Sequence, residues 1–100
     1  MQINDPLYPT AIEQGYQRYL IARTRLLYES TISTLERMLI FAPNTARLQL
    51  ELGILYYKLG SYEVARSYFA QVVSNPSVPQ EVAAKVRLYL QQLAIEAGEH

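Results

Sequence analysis

The side chains of this 100-residue chain that could do chemistry are few and scattered. Cysteine is absent, which excludes thiolate nucleophiles, disulfides and cysteine-ligated metals. The only histidine is His100, a position more typical of a frayed end than of a general base. No H-E-x-x-H, G-x-S-x-G or G-x-x-x-x-G-K-S/T motif occurs. We therefore expect no catalytic residues, no metal site, no cofactor and no enzymatic activity.

The charged residues point to no special partner. Nine basic and nine acidic side chains cancel, whereas proteins that bind duplex nucleic acid normally carry a basic excess. We therefore expect no nucleic-acid partner. Arg18, Arg23 and Arg25 form one small basic group, which is more typical of a solvated helix face than of an acidic-peptide site. Glu96 and Glu99 are typical of a solvated helix end.

Length and composition predict one small domain without a membrane segment. No apolar run reaches the roughly 18 residues that a spanning helix needs, so no direct membrane insertion is expected. The opening MQINDPLYP lacks the charged and then apolar order of a signal peptide. We interpret residues 1–9 as an extended lead-in and residues 10–100 as a single domain, with enough hydrophobic residues (50%) for a core.

Apolar residues recur at helical spacing from Ile12 to Leu93, which predicts an all-α fold. Five antiparallel helices are expected, with starts marked by polar capping residues and ends marked by glycine or proline. The predicted N-caps are Thr10 with Glu13, Asn44, and Ser77 with Gln80. The helices are predicted at about residues 10–27, from a cap at Ser30 or Thr31 to Pro43, at residues 45–59 and 62–74, and from the cap at Ser77 to near Gly98.

The boundary between the first two helices is open to two interpretations. No glycine or proline lies between Gly15 and Pro43, so the chain from Thr10 to Phe41 could form one helix about 48 Å long. That helix could not fold back on itself and would favour a swapped dimer. The apolar face changes side near Tyr28, however, and this slip favours a turn at residues 28–31.

Residues 48–69, LQLELGILYYKLGSYEVARSYF, predict two short helices facing each other across a Gly60-Ser61 turn. Small residues would let these helices cross closely, and large residues would fill the space between neighbouring helices. This pattern resembles the tetratricopeptide repeat, a 34-residue helix-turn-helix unit, although Gln49 replaces its usual early aromatic residue. The packing residues of the signature are Leu52, Gly53, Tyr56, Gly60, Tyr62, Ala65 and Phe69.

A shift of 34 residues tests how far the repeat extends. Tyr28 then matches Tyr62 and Leu35 matches Phe69, but Tyr19 stands where Gly53 would require a small residue. The resemblance implies one good repeat, one degenerate repeat and a C-terminal capping helix, as a solenoid fragment. Arrays usually need three repeats for stability, which favours self-association or a larger parent protein.

A weaker resemblance comes from the run ARSYFAQVVSNPSVPQEVAAKVRLYLQQL. It is similar to repeat domains of bacterial envelope proteins such as the surface-lipoprotein assembly modifiers, over roughly the last 70 residues. The resemblance implies a periplasmic or cell-envelope location, with a cytoplasmic one as the alternative.

The tetratricopeptide resemblance also implies a binding site. In that family the first helix of each repeat lines a concave groove that holds a peptide or a partner helix. Leu50 and Ile54 stand where some members carry a polar clamp for a carboxylate, so we expect an apolar partner. The implied groove residues are Arg47, Leu50, Glu51, Ile54, Tyr57 and Lys58.

The function expected from the sequence is protein–protein interaction, with a protein or peptide as the partner. The alternative is a structural, self-assembling domain, such as a homodimer that buries the same apolar strip, within an envelope assembly or secretion protein. Nine tyrosines in 100 residues favour interaction, because tyrosine combines apolar area with a polar tip. Repeat packing does not explain all of Tyr16, Tyr19 and Tyr57.

Overall fold

The computed structural model describes residues 8–98 of the chain, with side chains from residue 10. These residues form four helices and no strand: α1 Tyr8–Phe41, α2 Ala46–Lys58, α3 Tyr62–Val73 and α4 Gln80–Glu96. The all-α prediction is confirmed. The expected count of five helices is wrong, because the first two predicted helices are one. The predicted lead-in falls outside the described residues except for Tyr8 and Pro9, which belong to α1; Glu99 and His100 also fall outside.

Helix α1 runs without interruption through the predicted turn at residues 28–31. Thr31 Oγ1 donates a hydrogen bond to the carbonyl of Leu27 (2.8 Å), and Thr34 Oγ1 donates to that of Ser30 (3.2 Å). These hydroxyls therefore bond back one turn within the helix and do not cap a new one. The 34 residues make a rod about 51 Å long. The alternative interpretation, that one continuous helix runs to Phe41, is confirmed.

The predicted turn between α2 and α3 is confirmed. Gly60 adopts a φ of 81°, a left-handed conformation that glycine enters without steric cost. The Gly60 N–H donates to the carbonyl of Tyr57 (3.0 Å), and the Ser61 N–H donates to that of Tyr56 (2.9 Å). This pair of bonds is the Schellman motif, which satisfies the last carbonyls of α2 and reverses the chain.

Helices α2 and α3 pack at the small residues of the sequence pattern. A Cβ atom built on Gly53 would collide with the Phe69 ring, so only glycine allows that ring its position. Ala65 is also fully buried on α3. Helix α4 then packs against both α2 and α3. The largest fully buried side chains are Leu50, Leu52, Phe69, Val72, Val82, Val86 and Leu93.

The predicted N-caps are wrong. Thr10 lies inside α1, which begins at Tyr8. Thr45 and not Asn44 caps α2, and Pro79 and not Ser77 caps α4, in neither case through a side-chain hydrogen bond. Asn44 has a different role: its carbonyl accepts a hydrogen bond from Asn75 Nδ2 (2.9 Å). That bond joins the α1–α2 loop to the α3–α4 loop.

Candidate interaction surface

The predicted groove on α2 is covered by the chain's own last helix. Leu50 is only 1% exposed and belongs to the same core cluster as Val82, Val86 and Leu93 of α4. Ile54 and Tyr57 are partly buried against that cluster. Leu50 is therefore a core residue, and the apolar strip on this side of α2 lies against α4 instead of forming open surface.

Two polar contacts hold α4 along this face of α2. Arg47 Nη2 donates to Glu81 Oε1 at 3.1 Å, and both side chains are largely exposed. Tyr57 OH donates to Glu96 Oε1 at 3.3 Å, and its ring meets Tyr89 edge-on with centroids 5.5 Å apart. Helix α4 thus takes the place that a partner helix would need.

The two other charged residues predicted to line the groove are Glu51 and Lys58. Glu51 is half-buried and Lys58 is exposed. Lys58 Nζ lies 5.7 Å from the centroid of the Tyr28 ring on α1, within the range of a cation–π contact. Lys58 therefore points towards α1, whereas Arg47 and Tyr57 point towards α4.

A cluster that the sequence did not reveal joins α1, α2 and α3. Tyr56 OH (3.2 Å) and Tyr68 OH (3.0 Å) both donate to Glu36 Oε2, and the two rings stack 5.7 Å apart. Burial, reinforced by the bond to Glu36, raises the pKa of Tyr68 to about 12. Burial also raises the pKa of Tyr56. Both phenols are therefore neutral donors at pH 7, and the cluster serves to fix the helices.

Gln49 is the second polar feature missed by the sequence. It is 5% exposed, and its Nε2 donates to the carbonyl of Pro43 (3.1 Å) and to Gln71 Oε1 (3.4 Å). Gln49 therefore ties α2 to the α1–α2 loop and to α3.

The first half of α1 contrasts with the packed helices α2, α3 and α4, which we call the body. We call residues 10–27 the arm; every side chain in it is exposed except that of Leu20, which is half-buried. Helix α2 is the described helix that packs along α1, and α3 reaches α1 through the bond from Tyr68 to Glu36. Apart from Leu20, the buried and half-buried side chains of α1, such as Ile32 and Leu35, follow the arm. The arm thus extends beyond the body, in a molecule 63 Å long and 21 Å thick.

One side of the arm is apolar. At about 100° of rotation per residue, five of its large side chains share a face that lies roughly opposite Ile32 and Leu35. Each of them is between 52% and 65% exposed, and two of their rings, Tyr16 and Tyr19, lie 6.1 Å apart. The apolar side chains of α1 thus lie on one side of the helix before Tyr28 and on the opposite side after it, which explains the change of apolar face in the sequence. We call the five residues the arm strip: Ile12, Tyr16, Tyr19, Leu26 and Leu27.

Two further kinds of site were not found among the described residues. Within residues 8–98, no group of three or more histidine, aspartate or glutamate side chains is placed to hold a metal ion. None of the four helices has both the length and the apolar character to span a bilayer. Comparisons with known protein families, with curated proteins and with solved structures gave no match for this chain.

Proposed function

We propose that this protein is a non-enzymatic interaction module that binds a helix of another polypeptide through the arm strip. The observation that carries the proposal is the exposure of five large apolar side chains on one side of a helix. They leave on the order of 500 Å² of apolar surface open, which is about the largest patch of an ordinary monomer and often functional.

The spacing of the arm strip favours a helical partner. Ile12, Tyr19 and Leu26 are seven residues apart, the repeat that keeps one seam of a helix against a neighbouring helix. Tyr16 lies between the first two and widens the seam. Tyrosine is enriched in protein interfaces because it contributes a large area at a small cost in conformational entropy.

The body of α2, α3 and α4 supports the same function as a scaffold. The resemblance of residues 46–79 to a tetratricopeptide repeat favours this class, because such repeats bind polypeptides and carry no chemistry. The contact surface proposed here is nevertheless the arm strip and not the groove, because Leu50 is buried under α4. A cell-envelope location stays a prediction of the weaker resemblance.

Site-specific photo-crosslinking in cells tests the proposal. A photoreactive phenylalanine analogue is placed at Tyr19 in the full chain and, as the matched control, at Ile21, which is 66% exposed on the other side of the arm. We expect a crosslinked protein product at Tyr19 and little at Ile21. Equal yields at both positions, or no product at Tyr19, would overturn the proposal.

A further inference from the structure

We infer that the helix bound by the arm strip is the same arm of a second copy of this chain, laid antiparallel across a two-fold axis near Tyr19. The inference rests on the proposed function and names its partner. It concerns a face of α1 that no described residue covers.

The arm strip has the symmetry that such a pair requires. Ile12 lies seven residues before Tyr19 and Leu26 lies seven residues after it. In an antiparallel pair centred on Tyr19, Ile12 of each copy therefore meets Leu26 of the other, and the two Tyr19 rings meet at the axis. A two-fold interface is self-complementary in this way.

Two further positions agree with the same centre. Gly15 and Arg23 each lie four residues from Tyr19, and a Cβ atom on Gly15 would meet nothing within 4 Å. The open space at Gly15 of one copy leaves room for the long Arg23 side chain of the other.

The rest of the molecule does not obstruct this pairing. Helix α2 packs on the side of α1 that carries Ile32 and Leu35, roughly opposite the arm strip, so the two bodies lie on the outer sides of the pair. The arms overlap over about 27 Å at 1.5 Å per residue. Two arm strips can bury about 1,000 Å² of apolar surface in total, which is about the area that a predicted interface should reach.

The oligomeric state of the full chain tests the inference. We expect analytical ultracentrifugation to give twice the mass of one 11.5 kDa chain at micromolar concentration. Tyr19→Glu combined with Leu26→Glu should weaken the dimer by about 100-fold or more, while Ile21→Glu should leave it intact. A monomeric wild-type chain, or a dimer unaffected by the double substitution, would refute the inference.

Disulfide trapping tests the direction of the pair. The chain has no cysteine, so introduced thiols report only on the interface. Tyr19→Cys should form an intermolecular disulfide on oxidation. Ile12→Cys should crosslink to Leu26→Cys when the two proteins are mixed, but neither should crosslink to itself. Self-crosslinking of Ile12→Cys would show a parallel pair and overturn the antiparallel arrangement.

Failure of this inference is distinguishable from failure of the proposed function. A wild-type monomer whose photoreactive Tyr19 position still captures a different protein would refute the homodimer and leave the interaction function in place. A monomer that captures nothing at Tyr19 would refute both.

Discussion

The body, formed by α2, α3 and α4, and the arm of α1 contain similar apolar residues. These side chains are buried in the body and exposed in the arm. In the body, Leu52, Phe69 and Val86 are fully buried, whereas Leu26 in the arm is 65% exposed. The body can fold back because Gly60 reverses the chain. The arm contains no such turn, so its apolar face meets no partner within the described chain. A helical apolar pattern thus shows that a partner helix is needed, but the turns decide whether that partner is in the same chain.

The largest effect on the free energy of unfolding is expected when a leucine is replaced by aspartate, once in the body and once in the arm. Leu50→Asp buries a carboxylate in the core without a partner and should cost more than about 4 kcal/mol of unfolding free energy. Leu26→Asp lies on exposed surface and should change the stability of the monomer by less than about 0.5 kcal/mol. Urea unfolding followed by circular dichroism at low protein concentration measures both. Similar losses at the two positions would remove the distinction between body and arm.

The two helical glycines sharpen the comparison further. Gly53→Ala should cost about 1–3 kcal/mol, because the added methyl group displaces the Phe69 ring. Gly15→Ala in the arm meets open space and should instead stabilise the helix by about 0.5–1 kcal/mol. Thermal unfolding of both variants gives the sign directly. A stabilised Gly53→Ala protein would mean that the α2–α3 crossing is looser than the structure shows.

The pH dependence of stability tests the cluster of Glu36, Tyr56 and Tyr68, which joins α1 to the body. The pKa of Tyr68 is raised from 10.0 to about 12, chiefly by burial. Because the folded state favours the neutral phenol, this contribution to stability is complete below pH 10 and is lost as the pH rises towards 12. Urea unfolding at pH 9 and pH 11 should show the loss, and Tyr68→Phe should reduce it. An identical pH slope in the variant would contradict this assignment.

The smallest expected effect concerns the ion pair between α2 and α4. Arg47 and Glu81 are 61% and 77% exposed, so Arg47→Ala should cost only about 0.2–1 kcal/mol. The loss should shrink in 1 M salt, where screening acts over about 3 Å. The exchange of both charges, Arg47→Glu with Glu81→Arg, should restore most of the stability that Arg47→Ala loses. A larger loss that salt does not change would show that the Arg47 stem contributes by packing instead.

The sequence alone determined the local features of this protein. The all-α class, the reversal at Gly60 and the need for a small residue at Gly53 follow from helical periodicity and from the conformational freedom of glycine. The lack of glycine and proline between Gly15 and Pro43 also allowed one long α1. The slip near Tyr28 predicted a turn, but the two apolar faces belong to one continuous helix.

Only the tertiary structure decided which apolar faces meet. It placed α4 over Leu50, Ile54 and Tyr57, and it left the arm strip uncovered. It also joined Glu36 to Tyr56 and Tyr68, which lie 20 and 32 residues further along the chain. The physical reason is that periodicity identifies the face of a helix that needs covering, whereas the helix that covers it is selected by side-chain packing between distant segments.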